Sequence, residues 1–111
     1  MNQSAQLLAP MNIDVTAMRR NAGEAATLLK SLANENRLLI LCVLAEGEAS
    51  VGVLNKRVDL SQSALSQHLA VLRHQGLVVT RREAQTIYYS LAPTDALRVV
   101  AVLHDIYCPT E

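Results

Sequence analysis

The chain has 111 residues, the size of one domain with a small core. It has no Phe and no Trp, so that core must be built from Leu, Val, Ile, Ala and Met. Half the residues are hydrophobic and mean hydropathy is +0.18. Even so, no run approaches the ~18 consecutive apolar residues of a membrane helix. The opening MNQSAQLLAPMNID lacks the basic start and apolar stretch of a secretory signal. A cytoplasmic protein with a large buried interface, its own homodimer, is expected. Ten basic residues balance ten acidic ones, which alone argues against nucleic acid. The average conceals an acid-free window from Ser61 to Arg82 that holds His68, Arg73, His74, Arg81 and Arg82. Beyond it Glu83, Asp95, Asp105 and Glu111 face only Arg98.

In chain order, residues 1–13 read as a flexible arm. A first helix is predicted from Asp14 or Thr16 to Ala33, because Val15, Met18, Ala22, Ala25, Leu29 and Leu32 recur at spacings of three and four. Asn34 is a good cap for a second helix over 35–45. Its RLLILCVL is apolar nearly all round and predicts burial on most sides; Gly47 ends it. Ser50 caps a short helix over 51–58, DLS makes a tight break, and Ser61 caps the next helix over 62–75, which Gly76 stops. Two strands, LVVTRRE and TIYYSL, follow around a turn at Ala84 and Gln85. Thr94 is expected to cap a last helix over 95–107, with Pro109 ending it and a tail at 109–111. The order predicts a mainly α winged helix-turn-helix over 14–108, with a two-stranded β-wing.

The helix in LSQSALSQHLAVLRHQGLV divides cleanly. Leu65, Leu69 and Leu72 face the core. Gln62, Ser63, Ser66, Gln67 and His68 cluster in the first two turns with no negative charge among them. A helix N-terminus favours phosphate, Gln can bond an adenine edge bidentately, and Ser tolerates either base. Arg73 lies further along the same helix. Arg81 and Arg82 on the wing strand suit phosphate or minor-groove contact, and Lys56 and Arg57 suit the DNA backbone. An ordinary polar helix face beside a hairpin is the plain alternative. The turn, the wing and the acid-free window together favour double-stranded DNA. An enzyme is disfavoured: there is no Cys-x-x-Cys, no phosphate-binding glycine loop and no Ser/His/Asp set. No cofactor is called for.

The two cysteines are Cys42 and Cys108. In a reducing cytosol both are expected as thiols at rest, and a lasting bond between them would be an event. A lone helical cysteine such as Cys42 is usually a small buried hydrophobe. Cys108 is more accessible, with His104 one turn back as a possible proton acceptor. His104 and Cys108 are also spaced to share a metal, but zinc wants four ligands, and only Cys42 or Asp105 can be added. The residues alone leave a reactive pair, a metal site and core filling all open.

SVGVLNKRVDLSQSALSQHLAVLRHQGLVVTRREAQTIYYSL, with LANENRLLIL before it, closely resembles the ArsR family of bacterial winged-helix repressors, over about Thr16–Cys108. The resemblance implies a homodimer packed through its first and last helices, which represses by binding DNA until an inducer reaches it. Val53 departs from the acidic residue common in relatives, and the turn EAQT lacks their glycine. Of the family's metal sites, the Cys-x-Cys type is missing from EASVGVLNK, and the Asp-x-His type keeps only Asp95 in TDALRVV. LCVL and IYC instead match the family's persulfide-sensing branch, typified by HlyU, BigR and SqrR. That resemblance implies that Cys42 and Cys108 sense reactive sulfur species and become joined by a disulfide or polysulfide, with no metal. A metal-responsive repressor and a DNA-binding antirepressor or activator are the alternatives.

Overall fold

All helices but the last start where a short polar side chain satisfies their free N–H groups. The computed structural model describes residues 10–108. Residues 1–9 of the expected arm, and Pro109 with the expected tail, lie outside them. Asp14 caps α1 (Val15–Leu32), accepting from the Ala17 N–H at 3.0 Å. Asn34 caps α2 (Glu35–Ala45) through the N–H groups of Asn36 and Arg37 at 2.9 and 3.1 Å. After a two-residue strand β1 (Ala49–Ser50), Ser50 caps α3 (Val51–Val58), and Ser61 caps α4 (Gln62–His74) by accepting from Ala64 at 3.1 Å.

The helix ends follow the same economy of backbone groups. Asp59 takes a left-handed conformation (φ 58°) after α3, and the Asn55 side-chain amide donates to the Leu60 carbonyl at 2.7 Å. These contacts close the tight DLS break. After α4, Gly76 has φ 74°. Its N–H reaches the Arg73 carbonyl while the Leu77 N–H reaches Leu72, the paired bonds of a Schellman stop. Arg37 ties α1 to α2 by donating to the Ser31 and Lys30 carbonyls at 2.7 and 3.1 Å.

The wing is β2 (Val78–Glu83) antiparallel to β3 (Thr86–Leu91), in register from Val78 opposite Leu91 to Glu83 opposite Thr86. The turn falls at Ala84 and Gln85 as expected, with Ala84 at φ 56° where glycine is the easier residue. β1 was not expected. It pairs Ala49 with Tyr89 and Ser50 with Tyr88, making the sheet three-stranded in the order β1-β3-β2. The last helix, α5 (Ala96–Tyr107), begins differently from the expectation. Asp95, not Thr94, holds the cap position, in helical geometry and without a side-chain cap bond. The backbone is already turning there: the Thr94 N–H meets Ala92 and its carbonyl accepts from Leu97.

The core is aliphatic, as a chain without Phe or Trp requires. Ile40, Leu41, Leu54, Leu65, Leu69, Leu72 and Val78 are its fully buried side chains, joined by Leu32, Leu44, Ala96 and Val100. The expectation that α2 is buried on most sides holds only in part. Leu38, Cys42 and Val43 are partly buried, and Leu39 is 51% exposed. On the two outermost helices Val15, Met18, Leu29, Val102, Ile106 and Tyr107 are each more than half exposed. No helix among the described residues is long and apolar enough to cross a membrane.

Candidate nucleic-acid interface and thiol pair

α4 rests on the core through Leu65, Leu69 and Leu72. Helical geometry turns Ser63, Gln67 and His74 directly away from that stripe, with Gln62, Ser66 and Arg73 on one flank. All six are exposed, and no acid lies in the first turn. His68, expected among the reading side chains, is partly buried on the opposite flank. His74 was not among the expected contacts, although its spacing of seven from Gln67 places it on the same outward face. A cleft of about 580 Å³ runs beside the helix, with Ser66, Arg73 and His74 on one side and Val51 and Tyr89 on the other.

The flanking arginines differ from expectation in what they touch. Arg57 donates to both carboxylate oxygens of Glu46 at 3.1 Å. Arg81 donates through Nε and Nη2 to Glu48 at 2.8 Å each and through Nη1 to Glu83 at 3.4 Å. Its guanidinium also lies 4.5 Å from the centre of the Tyr88 ring. These pairs hold the Glu46 and Glu48 carboxyls below the usual carboxylate range. Arg57 and Arg81 thus each pair with a carboxylate of the same chain, at solvent-exposed positions. Among the described residues, Lys56, Arg73 and Arg82 are exposed and form no ion pair. Glu46 and Glu48 were missed by sequence reasoning because their partners lie 11 and 33 positions away.

Cys42 sits half-buried on α2, packed against the core, and Cys108 is exposed at the end of α5; both are free thiols. α2 and α5 pack together. Burial pushes the Cys42 thiol up, a charge on Cys108 pushes it further, and Glu46 one turn along adds to both. His104 meets Cys108 through the backbone, its carbonyl accepting the Cys108 N–H at 2.7 Å. Among the described residues, its imidazole makes no hydrogen bond to either sulfur, and no group of three or more His, Cys, Asp or Glu is arranged to hold a metal.

Residues 34–80 match the family described as "Bacterial regulatory protein, arsR family". The chain is 54% identical over 100 residues to the transcriptional activator HlyU of Vibrio cholerae, covering 90% of this chain and 91% of that protein. The structure of reduced HlyU from the same organism superposes with a TM-score of 0.79, at 54% identity over 83% of this chain and 97% of that one. The transcriptional repressor BigR of Xylella fastidiosa superposes with a TM-score of 0.81, at 41% identity over 88% of this chain and all of that one (100%).

Proposed function

The chain belongs to the ArsR family of bacterial regulatory proteins, in its HlyU/BigR branch, and from that premise we propose that it is a DNA-binding repressor switched by Cys42 and Cys108. Proteins of this family regulate transcription by binding DNA. Here α4 enters the major groove, Gln62, Ser63, Ser66 and Gln67 meet base edges, and Lys56, Arg73 and Arg82 meet phosphates. A homodimer through α1 and α5 covers their exposed apolar faces and sets its two recognition helices about 34 Å apart, one turn of DNA.

The single observation that supports the switch is the packing of α2, which carries the half-buried Cys42, on α5, which ends at the exposed Cys108. The Cys108 thiolate attacks the outer sulfur of an organic persulfide, taking that sulfur and releasing the organic thiol. The protonated Cys42 then loses its proton as it closes on the new persulfide, expelling hydrogen sulfide and leaving a disulfide. Each further sulfur inserted consumes one more persulfide and releases one more thiol. A disulfide needs Cα atoms about 4.4–6.8 Å apart, whereas a longer sulfur chain tolerates a wider gap. The link restrains α5 against α2 and shifts the dimer interface. A coupling of about 1–3 kcal/mol weakens operator binding about 5–150-fold.

Intact mass of the reduced protein, after an organic persulfide and separately after peroxide, tests this. The expected product gains two sulfur atoms and loses two hydrogens, is absent in Cys108→Ser, and releases operator DNA. Full sulfur-dependent release by Cys42→Ser would overturn the reading. A second reading has one specific support: HlyU of Vibrio cholerae is an activator. The same DNA binding then acts by displacing another repressor, and transcription from a template lacking that repressor separates the two.

A further inference from the structure

We propose that the loop Glu46-Gly47-Glu48 carries the state of Cys42 to the DNA-reading parts of the chain, with Glu46 and Glu48 as its two positioning residues. This rests on the thiol-switch reading above. Four ion pairs occur among the described residues, and two of them are local, joining Arg81 to Glu83 and Arg98 to Asp95. The two that join distant elements both start from this loop. Glu46 grips Arg57 on α3, the first helix of the helix-turn-helix, through two contacts at 3.1 Å. Glu48 grips Arg81 on β2, the wing, through two contacts at 2.8 Å. Two fork-to-fork contacts fix orientation as well as distance.

The loop is also the direct continuation of the helix that carries the half-buried thiol. Glu46 lies four residues after Cys42, one turn along the same face. Gly47 sits at φ 143°, where a side chain is strained, so the two glutamates leave the helix end at an angle that glycine holds open. A rotation or shift of α2 imposed by a bond at Cys42 therefore moves both carboxylates together. The arginines they hold then turn α3 and the wing relative to the recognition helix. Reach through the core would need a fully packed, buried side chain to move. The loop route needs only exposed side chains whose partners are already engaged.

The experiment compares operator affinity before and after persulfide treatment, for the wild-type chain, for E46Q/E48Q and for E46Q alone, with intact mass verifying the crosslink in each. All the substituted side chains are exposed, and thermal melts in both states confirm that the variants fold. The double variant is expected to form the same Cys42–Cys108 product in the same yield. Its ratio of reduced to crosslinked affinity falls about 3- to 30-fold relative to wild type, and E46Q alone falls part of the way. Because exposed pairs are screened, the wild-type ratio also shrinks as salt rises, and that of the double variant does not. An unchanged ratio in a double variant that crosslinks normally overturns the loop's role and leaves the thiol switch standing. A wild-type chain whose affinity ignores the crosslink overturns both.

Discussion

The segment from Ser50 to Leu91 and the two outermost helices, α1 and α5, are built on opposite principles. The central segment packs most of its core within one chain, although Val53, Val71, Val79 and Ile87 stay partly open at 38–47% exposure. Its helices are capped, its turn is closed by Asn55 and Asp59, and Leu54, Leu65, Leu69 and Leu72 are fully or almost fully buried. α1 and α5 leave large side chains uncovered at Val15, Met18, Leu29, Val102 and Ile106. Surface exposure of single apolar residues is ordinary, but a stripe repeated on two helices marks a face that awaits a partner. The helix-turn-helix is thus packed mostly by its own chain, while α1 and α5 present the apolar faces that the proposed homodimer would cover.

Substitutions on the two sides of that divide should behave differently. Leu69→Ala, beneath the recognition helix, opens a cavity in a packed core and should lower stability by about 2–5 kcal/mol, measured by urea unfolding; a smaller loss would mean that α4 is held by something other than this core. Val102→Glu should leave the fold of the single chain nearly intact but halve the molar mass in solution. Operator affinity should drop about 100-fold or more as the second half-site is lost. Light scattering with a DNA titration checks it, and an unchanged mass would remove α5 from the interface. Gln67→Ala should cost about 1–3 kcal/mol of discrimination at one base position with no change of stability, read by competition among operator variants. The smallest effect concerns Cys42. Folding favours its protonated form, so the unfolded chain loses that proton first. Its effect on stability is absent below the ordinary thiol range and becomes a loss as pH rises through it. Alkylation of Cys42 should accelerate only above that range, and Cys108→Ser should bring the midpoint down by removing one of the charges that raise it.

Much of this was legible in the sequence wherever the signal is local. Asn34, Ser50 and Ser61 are legible as caps because each is a short polar residue a few positions or fewer ahead of an apolar-periodic run. Gly76 stops α4 because only a residue tolerant of positive φ can make that turn. The failures share a cause. β1 is two residues of a ladder whose partner is some forty positions away, too short to alternate. Thr94 looked like a cap because its side chain suits one, but backbone bonds had already closed the turn. Arg81 looked free because Glu48 is 33 positions distant. Leu39 looked buried because an all-apolar helix does not say which side its own chain covers.

Arg37 has a mechanical consequence. It clamps the last carbonyls of α1 to α2, and of the eighteen residues of that helix only Ser31 and Leu32 are buried. α1 is therefore a beam fixed at one end. At 1.5 Å per residue the stretch from Val15 to Lys30 is about 22 Å long, so a tilt of about 5° at the clamp sweeps the far end through about 2 Å. A displacement too small to disturb the packing around Leu32 becomes, at Val15, large enough to put side chains out of step with the partner surface of the proposed homodimer.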